Sequence, residues 1–139
     1  MNIDSINNGI VIDHIKAGKS MDIYNYLGLG DLECSVAIIK NVKSKKSGKK
    51  DIIKIDNNMD IDINILGYID PDITVNRIKD GQIINKEHIE LPEEIVNIIK
   101  CENPRCISSI ERDLDQVFKL TDRVNRVYRC KYCEMQAKQ

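Results

Sequence analysis

The chain has 139 residues, 42% of them apolar and 31% charged, with a net charge of -1. That length suits one medium domain or two small ones. Near-balanced charge argues against a nucleic-acid footprint over the whole protein. No apolar run approaches the roughly 20 residues that span a bilayer, and Met1–Ser5 lacks the basic start and apolar stretch of a signal peptide. A cytoplasmic protein without membrane attachment is expected, and five Cys in a reducing compartment are not a disulfide framework.

With no Trp and one Phe, the core must be built mainly from Ile, Val and Leu. Gly9-Ile10-Val11-Ile12-Asp13-His14-Ile15 is the first strand-like run, rich in β-branched residues. Ser20–Leu27 follows as a short helix, with Ser20 as a candidate N-cap and Gly28 as a stop. Cys34–Val42 and Asp51–Ile55 are the next two strand-like runs. The Lys-rich stretch Lys43–Lys50 between them is a solvated hairpin tip. Met59–Leu66 is ambiguous. Strict alternation of apolar and polar residues argues strand, whereas Ile61, Ile65 and Ile69 fall at helical spacing with Asn58 as a cap. Ile73–Ile78 is a fourth strand and Gln82-Ile83-Ile84 begins a fifth, with Asp80-Gly81 between them as a hairpin signal.

Composition changes near Leu91–Lys100. Residues 1–96 carry 12 Lys+Arg against 16 Asp+Glu, and residues 97–139 carry 9 against 6. The Leu91-Pro92 break is followed by Glu93–Ile99, which is helix-like in pattern and marks a hinge between two modules. Four of the five Cys lie in the second module as C-x4-C and C-x2-C pairs: Cys101, Cys106, Cys130 and Cys133. Paired thiolates at such spacing bring four sulfurs to one tetrahedral zinc. A closed four-thiolate shell has no position for water or substrate, so the site is structural. So short a segment needs such a staple to fold. Modules of this kind serve protein docking, nucleic-acid binding or stabilisation alike. Arg105, Arg112, Arg123, Arg126, Arg129 and Lys131 keep a zinc-ribbon nucleic-acid reading open, although Glu111, Asp113, Asp115 and Asp122 interrupt them. There is no Ser/His/Asp or Cys/His arrangement and no phosphate-binding Gly loop, so an enzyme is not expected. Cys34, outside the pairs, reads as a small apolar side chain.

The stretches Gly9–Ile15, Lys50-Asp51-Ile52-Ile53-Lys54-Ile55, Thr74-Val75-Asn76-Arg77-Ile78, Leu91-Pro92-Glu93 and Cys130-Lys131-Tyr132-Cys133-Glu134 occur in this order. Together with the cysteine spacing they resemble the regulatory chains of aspartate carbamoyltransferase over nearly the whole length. The resemblance implies an α+β fold: an N-terminal ferredoxin-like antiparallel sheet with two helices, then a small C-terminal antiparallel β zinc domain. It also selects helix over strand around Asp60–Ile69. The implied domains are 1–92, allosteric and nucleotide-binding, and 93–139, holding zinc and contacting the catalytic chain.

The function so implied is non-catalytic. Regulatory chains of this family pair as homodimers and join catalytic chains. CTP, UTP and ATP bind one site and control pyrimidine biosynthesis allosterically; nucleic acid is not an expected partner. Matching positions assign Ile3, Asp4 and Ile6 to the N-terminal part of that site. Asp13 and His14 fall near base and ribose, Lys54 at ribose or phosphate, Asn76, Ile78 and Ile83 along the nucleotide, and Lys86 at the triphosphate. A triphosphate carries roughly four negative charges, which Lys54, Lys86 and Lys50 answer. Gly81 stands where other members have a larger aromatic residue near the base, which leaves the nucleotide preference open.

Overall fold

The computed structural model describes residues 6–45 and 48–137. These divide into two compact units, one ending at Glu90 and one beginning at Leu91.

In the first unit the elements run β1 (Gly9–Lys16), α1 (Ser20–Tyr26), a 3-10 turn (Leu29–Asp31), β2 (Val36–Ser44), β3 (Gly48–Ile55), α2 (Ile63–Ile69), β4 (Thr74–Lys79) and β5 (Gln82–His88). The five strands form one antiparallel sheet in the order β2-β3-β1-β4-β5. The first four reproduce the ferredoxin-like order, and β5 adds an edge by the hairpin expected at Asp80-Gly81. Both turn residues have positive φ, 52° and 77°, as a two-residue hairpin turn requires.

Alternation decides which face is covered. Ile10 and Ile12 of β1, Ile53 and Ile55 of β3 and Val75 of β4 point to one side and are buried. Ile23 of α1 and Leu66 of α2 join the same cluster, so both helices lie on that face. The opposite face carries Val11, Asp13, Lys54 and Asn76, with no helix on it among the described residues.

Two helix starts differ from the sequence pattern. Ser20 is the first helical residue, not the cap; Lys19 holds the N-cap without a side-chain bond. The cap of α2 is Asp62 rather than Asn58. Its carboxylate accepts the N–H groups of Asn64 and Ile65, so the helix begins at Ile63 and Met59–Asp62 stay outside it.

Asp51, fully buried on β3, fixes both neighbouring strands. Its carboxylate accepts the Asn41 N–H at 3.0 Å and the Gly18 N–H at 3.1 Å. Asn41 lies where β2 slips register, with φ 60°, and Gly18 follows a similar slip in β1 at His14, with φ 58°. Burial would raise this carboxyl. The Ser20 hydroxyl beside it and the N–H groups of Asn41, Gly18 and Ser20 hold it below the ordinary aspartate value instead.

In the second unit β6 (Glu94–Val96), β7 (Val117–Asp122) and β8 (Val127–Cys130) form an antiparallel sheet, with the single-turn helix α3 (Ile107–Ile110) between β6 and β7. Glu93–Ile99 is therefore not helical. Ile95 alone is buried while Glu94 and Val96 are exposed, the period of a strand, and Ile95 lies in register with Phe118 of β7. Phe118, Tyr128 and Val117 complete a core too small to stand alone.

Candidate effector face and metal centre

On the helix-free face, register places the sequence-derived residues in rows. Lys54 of β3 pairs with Val11 of β1, Val11 with Asn76 of β4, and Asn76 with Lys86 of β5. Directly opposed residues project to the same side of a sheet. Two residues along, Asp13 pairs with Thr74 and Thr74 with His88; at the other end Gly9 pairs with Ile78 and Ile78 with Ile83. Six assigned positions thus share one face: Asp13, Lys54, Asn76, Ile78, Ile83 and Lys86. The apolar Ile78–Ile83 pair lies at one end and the charged and hydroxyl-bearing groups towards the other. Ile83 is 61% exposed, an unusual state for a large aliphatic side chain on a strand.

The bulge in β1 aims the polar end. His14 adopts a left-handed conformation, and its Nδ1 lies 3.0 Å from Thr74 Oγ1. Its N–H donates to Asp13, and Lys50 Nζ sits 3.0 Å from the same carboxylate. Burial would raise the Asp13 carboxyl, yet the Lys50 ammonium and the His14 N–H hold it below the ordinary value. Lys50 is therefore engaged with Asp13. Asn76 is 9% exposed, and its Oδ1 is buried without a hydrogen-bond partner among the described residues. A buried acceptor of this kind costs about 1–3 kcal/mol until a donor reaches it.

Ile3 and Asp4 lie outside the described residues. The Ile6 side chain lies against Gly9 at the start of β1. The adjoining segment is tied to the β4–β5 turn, where Gly81 N–H donates to the Asn7 carbonyl and Asp80 N–H to Asn8 Oδ1.

In the second unit the four predicted cysteines converge. Their sulfurs all lie within 4.8 Å of one another, with Cys101 and Cys133 3.5 Å apart and Cys106 and Cys130 3.7 Å apart. Four ligands about a tetrahedral ion with metal–sulfur bonds of about 2.3 Å are separated by about 3.8 Å. The residues therefore fit a metal ion. Hydrogen-bond donors surround the sulfurs as well. Asn103 N–H is directed at Cys101 and Met135 N–H at Cys133, while the buried Ser108 hydroxyl lies 3.0 Å from Cys106 Sγ. The Met135 N–H draws Cys133 down to about 7. Burial, with the protons shared among neighbouring sulfurs, pushes Cys101 up to about 12. A divalent ion offsets that rise at Cys101, because a coordinated thiol gives up its proton.

Gln116 was not legible as a site residue. Its side chain accepts the Cys101 N–H at 2.9 Å and donates to the Ser108 carbonyl at 2.7 Å, so it sets the spacing of the first cysteine pair. A lone Gln before an apolar run carries no signal in sequence. Cys34 is half-buried against the core of the first unit and is not one of the four.

Residues 1–90 match the family model described as the aspartate carbamoyltransferase regulatory chain, allosteric domain, and residues 93–139 match the regulatory chain's metal binding domain. The chain is 54% identical over 134 residues to the aspartate carbamoyltransferase regulatory chain of Clostridium acetobutylicum, covering 96% of this chain and 92% of that protein. A protein of the same name from Clostridium tetani is 53% identical over 135 residues, covering 96% and 94%. Another from Bifidobacterium longum is 42% identical over 138 residues, covering 99% of each.

Proposed function

The chain belongs to the aspartate carbamoyltransferase regulatory chain family, with an allosteric and a metal-binding domain, and from that premise we propose that the helix-free face binds CTP, UTP or ATP and so controls pyrimidine synthesis by a catalytic partner. The observation that carries this is the row Lys54–Val11–Asn76–Lys86, with the unpartnered Asn76 Oδ1 at its centre. Two ammonium groups flank a buried acceptor. That arrangement suits phosphate oxygens and a ribose hydroxyl, the hydroxyl donating to Oδ1. The Ile78–Ile83 pair offers an apolar bed for a base, whose edge is read by backbone groups at the strand ends. Asp13, already ionised and paired with Lys50, and His14, held by Thr74, border the phosphate-binding row.

On this reading the chain carries out no chemistry of its own. Cys101, Cys106, Cys130 and Cys133 bind one Zn2+ as a closed shell, which leaves no open position for catalysis. The ion supplies folding energy to the second unit. Around it Ile107, Ile110 and Met135 are exposed, a set of apolar side chains suited to docking on catalytic chains. The chains pair as homodimers in that assembly, and reduced thiolates suit the cytoplasm. A nucleic-acid role has weaker support: Lys119 and Arg129 share a row with Glu94, so positive charge is interrupted where a phosphate backbone would run.

The test is assembly followed by titration. Metal-loaded chain is mixed with catalytic trimers and passed over a sizing column, with and without prior metal removal. A larger, metal-dependent complex whose activity responds to nucleotide supports the reading. A metal-loaded chain that neither shifts nor binds nucleotide refutes it.

A further inference from the structure

Three successive backbone carbonyls at the start of the second unit are held by one hairpin. The Leu91 carbonyl accepts the Arg123 guanidinium at 3.2 Å, the Pro92 carbonyl accepts the Tyr128 hydroxyl at 2.6 Å, and the Glu93 carbonyl accepts the Leu120 N–H at 2.9 Å. The Tyr128 ring is 2% exposed, so this hydroxyl is aimed from within the core. Pro92 contributes a fixed φ at the middle of the three. On the other side of the junction, Ile89 belongs to the buried cluster of the first unit. Between Ile89 and Leu91 stands only Glu90, which is exposed. Flexible linkers need several free residues before their ends move independently. Here one residue is free.

We propose that Arg123 and Tyr128 are positioning residues that keep this joint short, so that occupancy of the effector face is passed on through the chain to the metal-binding unit. The proposal rests on the effector reading above. Neither residue belongs to the nucleotide rows, and neither is a cysteine ligand. The physical reason is that a ligand shifts a distant equilibrium only if the displacement it favours is carried there. Releasing either the Leu91 or the Pro92 carbonyl frees backbone dihedrals beside the joint, and releasing both would lengthen it from one free residue to three. Their backbone dihedrals would then absorb a small displacement, as hinge residues do.

Tyr128→Phe tests this directly, because it removes one hydroxyl and keeps the ring in the core. Arg123→Ala is the second variant, since Arg123 is exposed. Both are assembled with catalytic chains and compared with the wild type. Three quantities are read: nucleotide Kd by calorimetry, metal content, and the ratio of activities with and without nucleotide. The expected result is unchanged Kd and metal content with an effector ratio reduced by about fivefold, the equivalent of one hydrogen bond. Two Gly inserted after Glu90 should give the same loss. If Tyr128→Phe and Arg123→Ala both respond as the wild type does, the clamp is overturned. Loss of metal or of assembly in Tyr128→Phe overturns it as well, because that is the mark of a purely structural role. A wild-type assembly that binds no nucleotide is a different failure: it overturns the effector reading itself, and the clamp with it.

Discussion

Lys54 and Asn76 flank the same residue from opposite sides: each is in register with Val11, one from β3 and the other from β4. The pairing places an ammonium and a buried amide on one face about two strand spacings apart, roughly 10 Å. That span is the scale of a nucleotide rather than of a single phosphate.

Lys54→Ala and Lys86→Ala should each weaken binding of a nucleoside triphosphate by about 10- to 100-fold, the loss of one charge-assisted hydrogen bond. Each should also flatten the dependence of affinity on salt. Asn76→Asp separates charge from shape. The new carboxylate repels phosphates, so it should cost the triphosphate more than the free nucleoside, whereas Asn76→Ala should affect both alike. Calorimetric titration with the two ligands checks this. Equal losses in Asn76→Asp would place the phosphates elsewhere.

Asp51 sets an acid limit on the first unit. Its folded-state carboxyl lies below the ordinary aspartate value, so it contributes stability above the unfolded value of about 3.9. That contribution is lost as pH falls through the folded value. Asp51→Asn keeps the shape and removes the charge that the Asn41 and Gly18 N–H groups, among others, donate to. It should lower stability at pH 7 by about 1–3 kcal/mol. It should also flatten the acid limb of a stability–pH curve measured by denaturant unfolding. A variant with the wild-type acid limb would move the responsible carboxylate elsewhere.

The strands were readable because β-branched runs alternate and turn residues bound them, and the four thiols because their spacing is chemically restrictive. Asp62 was hidden by its context: it sits inside an alternating run, and only the backbone path shows it capping α2. Glu93–Ile99 misled for the opposite reason. Its apolar residues repeat at helical spacing, but pairing with β7 buries Ile95 alone. Asp51 and Gln116 could not be seen at all. Each accepts hydrogen bonds from backbone N–H groups 10 or more positions earlier in the chain, and no local pattern encodes that. The rows of the effector face depend on register, which sequence does not print.

Gly9 is a packing constraint beside that face. A Cβ there would collide with the Ile55 carbonyl oxygen and stand 2.8 Å from Ile6 Cγ2. β1 and β3 could accommodate it only by separating. Gly9→Ala should therefore destabilise the first unit by about 1–3 kcal/mol and loosen nucleotide binding through Val11. Thermal unfolding and a nucleotide titration on the same sample test both effects. An unchanged melting temperature would mean that β1 and β3 yield at no cost.

Metal removal should act on one unit only. Cys106 is 3% and Cys130 2% exposed, and they lie among the side chains that form the second core, so that core and the ion form together. Binding energies of about 10–16 kcal/mol for structural zinc exceed anything so small a sheet can supply alone. Chelation, or Cys106→Ser, should therefore abolish amide protection across β6–β8 and end assembly with catalytic chains. The first unit has its own buried cluster and contributes no cysteine ligand, so it should keep its amide protection and its nucleotide affinity. Hydrogen exchange on the chelated chain distinguishes the cases. Protection lost throughout would show that the two units fold as one, and protection kept in β7 and β8 would show that the sheet holds without its metal.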